Sequence, residues 1–92
     1  MLTEFEWDSG NWPKCGKHGV SRAEIEAVFQ TRPMVLADRS GGAEARFKAI
    51  GITEGGRHIF VVFTFRENRI RPISARYMHQ KERDSYERQT RA

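Results

Sequence analysis

The chain has 92 residues, 38% of them hydrophobic and 30% charged, with a formal net charge of +4. That length predicts one domain over residues 1–92 with a single modest core. No apolar run approaches the ~20 residues needed to span a bilayer, the acidic start lacks a signal-peptide core, and a lone cysteine, Cys15, cannot form an internal disulfide, so membrane and disulfide-stapled secreted classes are excluded and a cytoplasmic location is expected.

Phe5-Glu6-Trp7-Asp8 alternates apolar and acidic residues, as a short edge strand does. Asp8 or Asn11 then stands where a first helix begins, running to about Lys17, with Pro13 confined to its first turn. His18-Gly19 reads as that helix's end, Gly19 being free to turn left-handed. Ser21-Arg22-Ala23-Glu24 has the capping-box pattern, with Val20 and Ile25 at the staple positions. Ile25, Val28 and Phe29 continue it as one apolar stripe, which ends at Arg32-Pro33.

The period then changes from helical to alternating. Met34–Ala37 reads as a strand and Asp38–Gly42 as a loop. Ala45–Ile52 alternates, Glu54-Gly55-Gly56 makes a hairpin turn, and His58–Arg66 is a central strand apolar enough for burial on both faces. Glu67-Asn68 turns into a last strand, Arg69–Arg76, which Pro72 demotes to an edge or a bulge. The polar, charged run His79–Arg91 reads as a C-terminal helix. The expected fold is α+β: two N-terminal helices packed on a four- to five-stranded, mainly antiparallel sheet, with a helix at the C-terminus.

Charge is unevenly placed along this order. Residues 1–38 carry four Lys/Arg against six Asp/Glu, residues 39–92 carry twelve against six, and twelve of the sixteen basic residues are arginines. Arginine presents a planar fork that matches phosphate oxygens, so the C-terminal half suits a polyanionic or acidic partner. Alternation puts Ile59, Val61, Phe63 and Phe65 on the core face and Thr64 and Arg66 on the other. Arg46 with Lys48, and Ser74 with Arg76, share faces in the neighbouring strands. Arg46, Lys48, Thr64, Arg66 and Arg76 are therefore expected on one sheet surface, where they would bind a phosphate and stabilise the charge of its transition state. Ribonuclease chemistry by attack of the 2′-hydroxyl needs only a proton acceptor, a proton donor and such charge stabilisation. Glu44 or Glu82 is a candidate acceptor and His79 a candidate donor. The competing reading makes the same arginines solvated strand ends paired with Glu44, Glu82 and Asp84. Trp7 fits either core packing or base stacking, and Trp12 fits helix packing. Cys15 and His18 have C-x-x-H spacing but lack the further ligands of a zinc site, so no metal or cofactor is expected, and His18 reads as a helix-end residue.

The segments Phe5–Asp8, Lys17-His18-Gly19-Val20-Ser21, Glu24-Ile25-Glu26, Glu44-x-Arg46-Phe47, Phe60–Thr64 with Arg66, Ile73-Ser74-Ala75-Arg76 and Lys81-Glu82-Arg83 together resemble the BrnT family, over about residues 5–87. That resemblance implies a RelE-like fold and the toxin half of a type II toxin–antitoxin pair. It implies a ribonuclease that stops translation, a ribbon-helix-helix antitoxin as partner, and contact with operator DNA only through that antitoxin. By motif it carries functional roles to Trp7, Glu44, Arg46, Arg66 and Arg76. The alternatives are a catalytically weak homologue acting as an antitoxin-binding co-repressor, and an RNA-binding module that does not cleave.

Overall fold

The computed structural model describes residues 4–38, 44–53 and 55–90. A short 3-10 turn, Lys14–Gly16, precedes helix α1 (Arg22–Gln30). Strands β1 (Met34–Asp38), β2 (Arg46–Ile52), β3 (His58–Arg66) and β4 (Arg69–Tyr77) follow, and helix α2 (Gln80–Thr90) ends the order. The strands form one antiparallel sheet in sequence order, β1-β2-β3-β4. The class is α+β, as the sequence indicates.

Two expected elements differ. The N-terminal strand is a single parallel bridge, Phe5 to Ile70, on the outer edge of β4. The first helix shrinks to the 3-10 turn, because Asn11 does not cap a helix. Its side chain is buried and donates to the carbonyls of Glu6 (2.8 Å) and Pro72 (3.0 Å), while its Oδ1 accepts from the Asp8 amide. These bonds tie the segment to β4 and leave the backbone no room to wind through Pro13 and Gly16. One N-terminal α-helix therefore remains, over four strands.

Local signals elsewhere become structure directly. The Ser21 hydroxyl accepts from the Glu24 amide at 3.1 Å and the Glu24 carboxylate accepts from the Ser21 amide at 3.0 Å, satisfying two N–H groups that a helix start leaves open. Val20 and Ile25 are both buried beside this cap. Glu67 and Asn68 have φ of 53° and 65°, the left-handed pair that a two-residue hairpin needs to match strand twist. Pro72 lies on edge strand β4 beside a register shift opposite Val62 and Phe63, where a missing N–H costs no ladder bond. The loop expected at 38–42 falls, after Asp38, outside the described residues, as does Glu54 of the first turn.

The core lies between α1 and one sheet face: Ile25 and Val28 pack on Ala49, Ile59, Val61 and Phe63, with Cys15 and Ile70 closing the side. Phe65 continues the core-facing row but is 55% exposed. Its ring contacts Phe47 and Phe63 edge-on at 5.7 and 5.5 Å, at the end of the sheet that also carries the β3–β4 turn. On the opposite face α2 covers the other end: Tyr86 meets the His58 ring at 5.5 Å. His58 is buried, with Glu87 Oε1 3.8 Å from its Nε2.

Candidate nucleic-acid face

Strand register decides which cations meet. On the face away from α1, Arg76 lies opposite Phe60, which lies opposite Ile50. Ser74, Val62, Lys48 and Leu36 form the next row, and Arg46 stands opposite Asp38. Arg46, Lys48 and Arg76 thus share one face. On that face lies a cavity of about 360 Å³ whose walls include His18, Asp38, Lys48, Phe60, Ser74 and Arg76. Phe60 is its aromatic floor, with Lys48 Nζ 5.0 Å and Arg76 Cζ 4.7 Å from the ring centroid. Cations over an aromatic face are attracted by its quadrupole, which holds both charges at the cavity without neutralising them.

Arg76 also has a carboxylate. Its two terminal nitrogens donate to Glu82 at 2.8 Å each, and Nη1 reaches the Tyr77 carbonyl at 3.3 Å. The pair keeps Arg76 protonated above its ordinary range. It holds the Glu82 carboxyl down at about 2, chiefly through the arginine's hydrogen bonds, with the His79 amide helping. A guanidinium has five N–H donors, so the three bonds described leave Arg76 with capacity for a phosphate. Lys48 makes no ion pair among the described residues.

Arg66 and Glu44 are placed elsewhere. Arg66 is six residues along β3 from Phe60, about 20 Å at ~3.3 Å per residue. It sits 3.6 Å from both Glu6 and Glu44. Around it, Arg69 approaches Glu6 and Glu67, and Arg71 grips Glu6 at 2.8 Å and Asp8 at 2.9 Å. The acidic N-terminal segment therefore folds back onto the basic hairpin end of the sheet. There the competing reading, arginines paired with carboxylates, describes what the structure contains.

The remaining candidates also separate from the cavity. Thr64 is buried and its hydroxyl donates to the Ala45 carbonyl at 2.6 Å, so it joins strands. Trp7 packs on the core side: its Nε1 donates to Glu26 at 2.8 Å, its ring meets Trp12 edge-on at 5.5 Å, and Arg22 lies over both rings. His79 is exposed at the start of α2, its amide bonded to Glu82 at 2.8 Å, and it is not part of the cavity wall. Arg46 is half-buried, with its Nε out of solvent.

His18 is the wall residue that sequence reasoning set aside. Cys15 is wholly buried in the core, and burial pushes its thiol up to about 11, so it acts as an apolar anchor. Three residues later His18 lines the cavity of the opposite face. The 3-10 turn packs against β4, so the chain passes round that edge strand from one face to the other. Only the tertiary path brings His18 to Arg76; the C-x-x-H spacing signals that both residues lie in one turn and nothing of where the turn goes. Among the described residues no three His, Cys, Asp or Glu side chains gather as metal ligands would, and no helix is long and apolar enough to cross a membrane.

Comparison with known proteins adds a family to this geometry. No curated protein matches the chain. Residues 7–82, which include α1, all four strands and the Arg76–Glu82 pair, match the family model described as the ribonuclease toxin, BrnT, of type II toxin–antitoxin systems. The chain belongs to the BrnT family of ribonuclease toxins.

Proposed function

We propose that this chain is an endoribonuclease that cleaves RNA at the cavity between β2, β3 and β4, and thereby inhibits translation in the cytoplasm. The observation that carries the reading is the pairing of Lys48 and Arg76 over Phe60 at the mouth of a cavity large enough for a phosphate and part of a nucleotide, in a chain of a ribonuclease toxin family. Two cations on that wall neutralise a scissile phosphodiester and stabilise the extra charge it gains in its transition state. Arg46 extends the same face toward β1 and supplies backbone contacts to the RNA strand. Attack by the ribose 2′-hydroxyl makes the reaction independent of metal. The activity is held in check by a cognate antitoxin of the ribbon-helix-helix type, through which the complex reaches operator DNA.

The test is incubation of purified protein with total RNA, with and without ribosomes. Wild type is expected to cut, and Arg76→Ala and Lys48→Ala to cut about 100-fold or more slowly, given the ~10²–10³ cost of losing one preorganised donor. Folded variants that cut at the wild-type rate would remove the site from this cavity. The Arg76–Glu82 pair favours a second reading, in which the chain is a weak nuclease that serves mainly as antitoxin-bound co-repressor. That reading predicts tight antitoxin binding and no RNA cutting by wild type.

A further inference from the structure

We propose that His18 is the proton acceptor of the reaction at this cavity, an inference that rests on the ribonuclease reading above. The carboxylates considered for that role are poorly placed. Glu82 is chelated by Arg76 and held near 2, which makes it a weak base. Glu44 stands with Arg66 at the far end of the sheet, and His79, the candidate donor, is outside the cavity wall. Asp38 lines the cavity but already has an interaction partner. His18 is exposed, lines the same cavity as Lys48 and Arg76, and is carried on a turn whose other side is anchored in the core by Cys15. An anchored imidazole beside a phosphate site has the position a general base requires, and imidazole is the side chain that ordinarily exchanges protons near neutral pH.

The charged groups that face His18 across the cavity are Asp38 from β1, Lys48 from β2 and Arg76 from β4, the last shared with Glu82 of α2. In the proposed step His18 faces the ribose 2′-hydroxyl of a substrate whose phosphate is held by Lys48 and Arg76. It takes the proton of the ribose 2′-hydroxyl. The 2′-oxygen forms a bond to phosphorus and the bond from phosphorus to the 5′-oxygen breaks. The 5′-oxygen leaves with a proton from solvent in the open cavity, and His18 returns its own proton to water. The products are a 2′,3′-cyclic phosphate and a free 5′-hydroxyl, with nothing oxidised or reduced.

The experiment measures cleavage of a short RNA by wild type, His18→Gln and Lys17→Gln from pH 5 to 9, and binding of the same sequence with 2′-O-methyl riboses. Glutamine keeps size and polarity but cannot accept the proton, and Lys17 is the neighbouring solvent-exposed control. The expected result is cleavage about 100-fold or more slower in His18→Gln, within the range for general acid–base catalysis, with binding of the methylated RNA unchanged. Wild type and Lys17→Gln should share one rate and one pH profile, and His18→Gln should depart from both. Equal cleavage by His18→Gln and wild type overturns the assignment while leaving the nuclease reading intact. A parallel loss of binding in His18→Gln also overturns it, by making His18 a docking group. No cleavage by wild type, whatever it binds, defeats the nuclease reading and the assignment with it.

Discussion

At Gly51 the helix and the sheet come close enough that a single methyl group decides the fit. A Cβ built there would stand 2.9 Å from Val28 Cγ1, closer than side chains normally approach, with the Val28 Cβ and Cα at ordinary contact distances of 3.5 and 3.6 Å. Gly51, next to the last residue of β2, is therefore a packing glycine within a strand, where glycine otherwise costs roughly 0.5–1 kcal/mol relative to alanine. Gly51→Ala is expected to lower stability by about 1–3 kcal/mol, as overpacking does, read as a drop in thermal or urea midpoint. In a Val28→Ala background the same substitution should cost much less, because the clashing methyl groups are gone. Equal costs in both backgrounds would show that α1 does not rest on β2 through this contact.

Elements differ in how firmly they are held. Helix α1 carries its own cap, and Glu24 also accepts from the Tyr77 hydroxyl at 3.0 Å, which joins the helix start to β4. Helix α2 has no comparable apolar seat. Its ties to the sheet include the Arg76–Glu82 pair, the meeting of Tyr86 with His58 and the approach of Glu87 to His58, and a groove of about 300 Å³ lined by Leu36, Ile50, Phe60, Met78 and Tyr86 remains beneath it. Glu82 is held at about 2 against an ordinary 4.5. A depressed carboxyl contributes stability that is complete above its unfolded value and lost as pH falls through its folded one. Amide exchange in α2 is thus expected to accelerate between pH 4.5 and 2, after correction for intrinsic rates, ahead of exchange in β3. Glu82→Gln should already show the fast exchange at pH 6. If α2 stays protected to pH 2 in both proteins, something other than this pair seats it.

The same contrast explains what could be read from sequence. The capping box, the β3 alternation, the Glu67-Asn68 turn and the bulge at Pro72 are local rules, each fixed by residues a few positions apart. The first helix fails because Asn11 finds a better partner in the Pro72 carbonyl, 61 residues away. Alternation correctly puts Arg46, Lys48 and Arg76 on one face. It does not measure distance along a strand, so Arg66 stands apart with Glu44, and it says nothing of the turn that wraps β4 and delivers His18. In sequence Trp7 fits core and surface alike, and its bond to Glu26 shows why: an indole can be apolar packing and a hydrogen-bond donor at once.

Over the whole molecule, folding redistributes the charge that the sequence separates into an acidic first half and a basic second half. Glu6 and Asp8 are laid onto Arg66, Arg69 and Arg71, which cancels much of the positive field at the hairpin end of the sheet. On the sheet face away from α1, the cations offered to a polyanion are then Lys48 and the partly engaged Arg76 at the cavity, with Arg46 beyond them on the same face. Screening and counterion release turn this into a measurable count. For a single strand, log affinity falls with log salt at a slope of about −0.7 for each phosphate neutralised, so three contacts predict a slope of about −2 for an uncleavable 2′-O-methyl RNA. Lys48→Ala should flatten that slope by about 0.7. Arg69→Ala, which breaks only pairs with Glu6 and Glu67, should leave it unchanged, because its charge is already answered within the protein. A slope steeper than about −4, or one that Arg69→Ala flattens as much as Lys48→Ala does, would mean that the RNA strips the N-terminal carboxylates from the hairpin and uses the whole length of the sheet.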